Sequence, residues 1–401
     1  MNILIVFPFL LHSNIKHGCG KQTLRLIKGL HHLGHRIYLV CLSETDYEPY
    51  REQIDELSRY CVELKIFSRP KLNLFIKIIN FLRPSLPPHA RNCLSSDAQR
   101  YIQNLANTGC IDVANIVFAC MGEYAKKIDN KKCTIIIDTL EIETRKYLIQ
   151  LKSKTSLAIK LHSLITYLRT MPYEKKLIQN VSGVIAISEE EKSFLNKKYN
   201  YDNVLIIPSL IEKDDFPLEC NESKENLILF FGSFNHTPNV DAMRWFCKFI
   251  FPIIVKEIPD VALNIVGENA IQKLHWLKKK EKIHIKGTVK DMKPWILEAT
   301  VVVSPIITGA GARIKNIEAL SMGKPLVTTS LGAEGLSSGD KPGCYIEDEP
   351  KNFAKRVIEL LKSHELREMI GETGKRNVKE NHDNLLNAGR FINYCKSIKR
   401  Y

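Results

Sequence analysis

The chain has 401 residues, of which 44% are hydrophobic, so it is long enough for two or three domains and a disordered chain is excluded. Its formal net charge is +14, from 58 basic and 44 acidic side chains. The 11 cysteines include no C-x-x-C pair, which excludes zinc ribbons and thioredoxin-type motifs and predicts reduced thiols. We expect neither a signal peptide nor a membrane-spanning helix. The predicted location is cytoplasmic, with peripheral attachment to the inner face of the cell membrane left open.

The positive charge is concentrated in the first half of the chain. Residues 1–200 carry 29 basic and 18 acidic side chains, and the segment from Lys65 to Arg100 contains a single acid, Asp97. Apolar residues fill the middle of this segment, as in a basic amphipathic helix that lies on an anionic membrane surface. A core helix with a solvated basic rim fits equally well. Nucleic acid is not an expected partner, because the aromatic residues do not alternate with the basic ones.

Short apolar runs alternate with helical patterns throughout, which predicts α/β layers around parallel sheets. In the first half the predicted strands are Ile3–Phe7, Arg36–Cys41, Ile116–Ala119, Thr134–Ile137, Val184–Ile187 and Val204–Ile207. In the second half they are Leu227–Phe231, Leu263–Val266, Ile283–Ile285, Val301–Ser304 and Pro325–Thr328.

The same pattern predicts two doubly wound domains. We assign residues 1–210 to the first, 211–226 to a charged linker with two prolines, and 227–380 to the second. Residues 381–401 are predicted as a C-terminal helix, and its packing against the first domain is left open.

A glycine-rich turn follows the first predicted strand. Gly18, Cys19 and Gly20 precede a helix predicted at Gln22–Leu33, which ends before Gly34. Such a turn lets the backbone approach a phosphate at a helix N-terminus, so we predict a phosphate or acceptor loop. Thr23 stands where the dinucleotide pattern has its third glycine, so a plain loop remains the alternative.

A second glycine-rich turn follows the strand at 301–304, and it contains Thr308, Gly309 and Gly311. A helix is predicted to begin near Arg313, which is either a phosphate contact or a surface charge. Lys315 can reach phosphate oxygens from the first helical turn. Glu318 lies three residues later on the same face, where a carboxylate can accept hydrogen bonds from a ribose diol.

These motifs, in this order and spacing, resemble one branch of the family 4 retaining glycosyltransferases, which have the GT-B fold. The similarity is close over about residues 225–380 and looser over 1–210. It rests on the segments 231–234, 238–242, 265–267, 287–289, 311–320, 323–325 and 332–335. The resemblance implies an α/β protein of two Rossmann-like domains facing a central cleft. It also implies a nucleotide-sugar donor held mostly by the second domain and an acceptor held mostly by the first.

The resemblance further implies a retaining reaction without a metal ion or other cofactor, and no Asp-x-Asp motif is present. Lys315 would then meet the charge on the leaving diphosphate. The donor site would comprise Gly232, Ser233, Asn235, His236, Gly267, Thr288, Val289, Thr308, Gly309, Ala310, Gly311, Arg313, Lys315 and Glu318.

The chain departs from the family pattern in both halves. Ala310 replaces the first glutamate of the family's E-x7-E motif, of which Glu318 is the second. Asn235 or His236 would have to substitute for a basic pair found in many relatives. The first half has no histidine near Asp138 and Glu141, which we consider as candidates to orient the acceptor hydroxyl; helix-capping or loop carboxylates are the alternative.

The sequence therefore predicts a glycosyltransferase that moves a sugar to a hydroxyl of a glycan or lipid-linked acceptor in surface polysaccharide assembly. A nucleotide-sugar 2-epimerase of the same architecture is one alternative. A non-catalytic protein that binds sugar nucleotides is another.

Overall fold

The computed structural model describes the chain except at positions 16, 45–46, 70–85, 153–155, 213–223, 278–279, 310, 312, 337–342 and 399–401. Its internal contacts divide it into two units. Unit 1 comprises Met1–Leu210 and Asn384–Tyr401, and unit 2 comprises Ile211–Asp383. Residues 70–85 of the basic segment predicted as a membrane surface, and most of the predicted linker, lie outside the described residues, so both remain predictions.

Unit 1 is built on a seven-stranded parallel sheet with the strand order β3-β2-β1-β4-β5-β6-β7. The strands are β1 Asn2–Phe7, β2 Arg36–Ser43, β3 Glu63–Ser68, β4 Val113–Val117, β5 Thr134–Asp138, β6 Gly183–Ala186 and β7 Val204–Ile206. The order reverses between β1 and β4, as in a dinucleotide-binding sheet.

Helices cover unit 1 between these strands. They are α1 Gly18–His32, α2 Arg51–Ser58, α3 Pro88–Asn92, α4 Ser96–Asn107, α5 Gly122–Ala125, α6 Glu143–Lys152, α7 Leu157–Gln179 and α8 Glu189–Tyr199, with 3₁₀ turns at Glu48–Tyr50 and Ala119–Met121. The predicted C-terminal end of α1 before Gly34 is confirmed, because Gly34 has a φ of 79° and its N–H donates to the carbonyl oxygen of His31.

Unit 2 has a six-stranded parallel sheet with the order β10-β9-β8-β11-β12-β13. Its strands are β8 Leu227–Phe231, β9 Ala262–Val266, β10 Ile283–Lys286, β11 Val301–Ser304, β12 Leu326–Thr328 and β13 Cys344–Ile346. Residues of β8 alternate between two buried clusters, Ile228 and Phe230 in one and Leu229 and Phe231 in the other. The sheet is therefore covered on both faces, as expected of parallel strands.

The helices of unit 2 follow the same alternation. They are α9 Thr237–Trp245, α10 Phe251–Glu257, α11 Ala270–Lys273, α12 Lys293–Glu298, α13 Ile314–Ser321, α14 Pro350–Lys362 and α15 His364–Asn381, with a π turn at Phe246–Ile250 and a 3₁₀ turn at His275–Leu277. The last helix, α16 Asn384–Ser397, returns to unit 1, where it packs against α1.

The predicted fold class, two doubly wound α/β domains, is confirmed. The sequence missed β3 and β13, and it placed β4 three residues too late. Asn115 is the reason for the shift: a polar side chain interrupts the apolar run, yet it is fully buried within the strand.

Candidate functional site

The candidate donor site of unit 2 lies where the strand order reverses. β8 and β11 are neighbours in the sheet, but their next partners lie on opposite sides. In open α/β sheets, ligands bind outside the carboxyl ends of the strands at such a point. The loops that follow these two strands, residues 232–236 and 305–313, are the segments in which the sequence predicts donor contacts.

Glycines make close backbone packing possible in these loops. Gly232, Gly267, Gly309 and Gly311 all have φ between 89° and 156°. A Cβ atom on Gly267 would lie 1.9 Å from the carbonyl oxygen of Gly232, and one on Gly309 would lie 2.7 Å from Cγ of Pro238. Larger residues would push these loops apart, so the positions favour glycine for steric as well as conformational reasons.

Lys315 is held toward the loop after β8. It lies in the first turn of α13, and its Nζ donates a hydrogen bond of 3.0 Å to Oδ1 of Asn239. The same Nζ lies 4.0 Å from the centroid of the Phe230 ring. Asn239 in turn donates from Nδ2 to the carbonyl oxygen of Ser233 at 2.7 Å. The chain of contacts fixes the ammonium group beside the glycine turn.

The surroundings of Lys315 also disfavour its charge. Burial, followed by the nearby positive charge of Arg313, holds the pKa of Lys315 well below its usual value. Arg313 itself is half-buried at the N-cap of α13. Two cations at one helix N-terminus repel each other in the free protein, and an anion between them would remove that cost.

The remaining predicted donor residues divide into connected and exposed ones. Ser233 donates to Oε2 of Glu268 at 3.0 Å, and Asn235 accepts from Asn269 at 2.6 Å, so this loop is tied to the segment after β9. His236 is exposed at the N-cap of α9. Thr288 is exposed, Glu318 is half-buried, and Val289 packs on the core. The Thr308 hydroxyl lies 3.4 Å from Oδ2 of Asp241. Ala310 lies outside the described residues.

Asn239 and Phe230 were not among the predicted site residues, although both now define the position of Lys315. Asn239 stands within the 238–242 segment that carried the family resemblance, so its motif was visible. Phe230 reads as an ordinary core residue, and its position two residues before Gly232 was the available signal.

In unit 1, the prediction that Gly18, Cys19 and Gly20 form a loop is wrong, whereas their phosphate or acceptor role stays a prediction. Gly18, Cys19 and Gly20 form the first turn of α1, because the His17 ring caps the helix by accepting from the Gly20 N–H at 3.1 Å. Among these three, Gly20 has a packing reason: a Cβ there would lie 2.4 Å from Cδ1 of Ile15. The helix therefore begins at Gly18, before the start at Gln22 that its apolar pattern predicts.

Asp138 ends β5 and is buried at the carboxyl edge of the sheet. Burial raises the pKa of its carboxyl to about 7, with the Leu140 N–H and the Asn115 side chain opposing the rise. Its Oδ1 has no hydrogen-bond partner among the described residues. Phe118 and Leu140, on either side of this edge, have left-handed backbone with φ of 70° and 44°.

Glu141 lies in the same loop and is paired with Lys146, at 2.7 Å between Oε2 and Nζ. Burial raises the pKa of the Cys19 thiol to about 11, and the charge of Glu141 adds to the rise. The loop after β5 is thus close to the first turn of α1. The structure brings the predicted residues of unit 1 to one edge of its sheet.

The structure also supplies a histidine that the sequence around residue 138 lacks. His89, on α3, places Nδ1 3.1 Å from Oε2 of Glu143, the first residue of α6. Burial, then the Lys146 charge, lowers the pKa of His89 to about 4. Burial and the nearby Glu174 raise the pKa of Glu143 to about 8. The pair is mostly uncharged near pH 7, and its two members are too far apart in the sequence to be recognised as a pair from the sequence alone.

Two buried glutamates fix the backbone around this loop. Glu174 accepts from the N–H groups of Glu143 and Thr144 at 3.1 and 3.2 Å and from the Tyr199 hydroxyl at 2.7 Å. Glu191 accepts from the N–H groups of Ile142 and Ile187, both at 3.3 Å. These carboxyls therefore fix the segment from Ile142 to Thr144, which joins the loop to α6.

Within the described ranges, no cluster of three or more His, Cys, Asp or Glu side chains could hold a metal ion. In the same part of the chain, no helix is both long and apolar enough to cross a bilayer.

Comparison with known proteins identifies the class of unit 2. Residues 225–363 match the model of the family described as glycosyl transferases group 1. An uncharacterized 44.6 kDa protein in the cps region of Klebsiella pneumoniae is 21% identical over 92% of this chain and 93% of its own length. Spore coat protein SA of Bacillus subtilis is 29% identical over 32% of this chain and 39% of its own length.

Solved structures show the same architecture. TarM from S. aureus, in a complex with Fondaparinux, alpha-GlcNAc-glycerol and UDP, superposes with a TM-score of 0.70 at 11% identity, covering 99% of this chain and 100% of TarM. HepE from Anabaena, in complex with UDP and glucose, gives 0.64 at 11% identity, covering 98% and 99%. The GT-B fold is confirmed. The match of residues 225–363 to the glycosyl transferases group 1 model confirms the predicted class of enzyme, a glycosyltransferase.

Proposed function

We propose that the protein is a retaining, metal-independent glycosyltransferase that transfers a sugar from a nucleoside-diphosphate sugar to a hydroxyl of a glycan or lipid-linked acceptor. We further propose that it acts in surface polysaccharide biosynthesis at the cytoplasmic face of the membrane. The observation that carries the proposal is Lys315, fixed by Asn239 and Phe230 beside two glycine turns at the switch point of the unit 2 sheet.

The chemistry of the site supports a leaving diphosphate. Departure of a nucleoside diphosphate places negative charge on phosphate oxygens, which must be met by donors already in position. Lys315 and Arg313 supply positive charge at the N-terminus of α13, and the backbone at Gly309 and Gly311 lies at the same turn. With these groups the charge is met without a metal ion.

Glu318 is proposed to bind the ribose of the nucleotide. It lies three residues after Lys315 in α13, on the same helix face and nearer the helix C-terminus. A carboxylate at this distance from the phosphate contacts can accept both hydroxyls of a ribose. Ala310, in place of the first glutamate of the family motif, leaves the contact with the sugar to other side chains.

The acceptor is proposed to use the edge of unit 1 that carries Asp138 and Glu141. Asp138, with a pKa of about 7, can accept a proton or hold one in the neutral range. The relatives support the class of product. One is encoded in a cps region, another is a spore coat protein, and WaaG, a structural neighbour, is involved in lipopolysaccharide biosynthesis.

The test is product analysis with purified protein, a panel of nucleoside-diphosphate sugars and a mixture of glycan and lipid-linked acceptors. Transfer releases one nucleoside diphosphate for each glycosylated acceptor, with the anomeric configuration of the donor kept, and it continues in the presence of a chelator. A free epimerised sugar nucleotide formed without acceptor would replace the proposal with a 2-epimerase. Binding without turnover would replace it with a non-catalytic binding protein.

A further inference from the structure

One face of α7 in unit 1 carries an unusual row of exposed leucines. Leu157, Leu161, Leu164 and Leu168 are 83, 56, 42 and 59% exposed. Their spacing of four, three and four residues places them in one stripe along the helix. An isolated exposed leucine needs no explanation, but four in a row on one helix face mark a surface that has a partner.

Between residues 163 and 174, the opposite face of α7 is buried and polar, and the apolar Leu177 and Ile178 are buried beyond it. Ser163, Thr166, Thr170 and Glu174 are all fully or almost fully buried. Ser163 donates to Oε1 of Gln150 on α6 at 3.0 Å, which ties this face to the neighbouring helix. A helix of a protein surrounded only by water would bury the leucines and expose the serine and threonines. The reversal indicates that the outer face of α7 is not adapted to water.

The charges around the stripe are positive. Together α6 and α7 contain seven basic residues, and their two acids are Glu143 and Glu174. Glu174 is fully buried and the Glu143 side chain is only 14% exposed, so neither presents an exposed negative charge, and burial also raises the pKa of both acids. Lys160 flanks the leucine stripe on one side and Lys176 on the other, at the angles expected for 3.6 residues per turn. Leucines bordered by cations are typical of helices that lie in the interface of an anionic membrane.

We infer that α7 is a membrane-docking helix, with its leucine stripe among the acyl chains and its lysines at anionic lipid headgroups. The absence of exposed acids on both helices favours lipid over a protein partner, because anionic headgroups present a net negative charge to such a surface. α6 begins at Glu143, two residues after Glu141. Docking of α7 would therefore place the candidate acceptor edge of unit 1 near the headgroups, a consequence that rests on the proposed function.

The inference is tested by sedimentation of the full chain with vesicles of equimolar phosphatidylglycerol and phosphatidylcholine, and with phosphatidylcholine vesicles alone. We expect binding to the anionic vesicles. The variant L161Q/L164Q/L168Q should bind them at least about 100-fold more weakly, because three apolar side chains no longer enter the bilayer. The variant K160Q/K176Q should lose about fivefold per lysine on anionic vesicles and little on neutral ones.

The matched control is I271Q/M369Q, which replaces two exposed apolar residues of unit 2 and should bind like the wild type. Nucleotide-induced stabilisation is measured on the same samples, so that loss of membrane binding is separated from loss of the donor site. Equal binding by the wild type and the leucine variant would overturn the inference. A dimer that the leucine variant abolishes, without vesicle binding by the wild type, would assign the stripe to a second copy of the chain.

Discussion

Replacement of Lys315 by methionine should remove most of the catalytic activity while leaving the protein folded. Methionine keeps a long apolar side chain against Phe230 but has no charge and no donor. Of the three N–H groups of the ammonium, one is used by Asn239 at 3.0 Å, which leaves two for the ligand. Two charge-assisted hydrogen bonds to phosphate oxygens correspond to about 2–4 kcal/mol.

This loss of transition-state stabilisation predicts a kcat/KM about 30- to 1000-fold lower than that of the wild type. The assay is release of nucleoside diphosphate with the donor identified by product analysis. Lys351→Met, at an exposed position on α14, is the control and should keep full activity. A Lys315→Met protein with wild-type thermal stability and a kcat/KM within about threefold of the wild type would refute the assigned role of this lysine.

Three further predictions follow from buried charges and close backbone contacts. Because burial lowers the pKa of Lys315, diphosphate binding should take up a proton and tighten as the pH falls, as calorimetry in two buffers would show. Since burial raises the pKa of Glu143 to about 8 and of Glu191 to about 7, the folded state holds protons that the unfolded state releases above about pH 4.5. In urea titrations, their contribution to the free energy of unfolding should fall as the pH rises from about 4.5 to about 8. The variant Glu143→Gln should weaken this pH dependence in its upper range, near pH 8. Gly267→Ala should abolish nucleotide-induced stabilisation, because its Cβ meets a backbone carbonyl at 1.9 Å, whereas Gly389→Ala, in open space on α16, should raise stability by about 0.5–1 kcal/mol.

Much of the fold could be predicted because parallel strands buried on both faces are continuous apolar runs. β8 and β11 are of this kind, and their predicted bounds are those of the structure. β3 lies at the sheet edge and has no fully buried residue, because Lys65 and Ser68 are exposed and the other four residues are half-buried. Its pattern is therefore that of a loop with a few apolar positions. The start of α1 is capped by the His17 ring, which accepts from the Gly20 N–H, and no periodicity reveals such a contact.

The candidate donor site was partly visible for a similar reason. Glycine turns and the Lys315–Glu318 spacing involve residues that are close together in the sequence, so the sequence alone reveals them. The position of Lys315 depends on Asn239, seventy-six residues away, and the His89–Glu143 pair joins two separate helices. Contacts between residues so far apart in the sequence depend on the strand order, which in turn depends on the packing of the whole unit.

The most direct test of the donor site is thermal stabilisation of the purified protein by a panel of nucleoside diphosphates and sugar nucleotides, repeated with Glu318→Ala. A nucleotide at about 100 times its Kd should stabilise the folded protein by about 2.7 kcal/mol, which is a readily measured shift in Tm. We expect a shift with one nucleotide of the panel and its loss in the variant. A folded protein that no member of the panel stabilises would contradict the assignment of unit 2 as the sugar-nucleotide site.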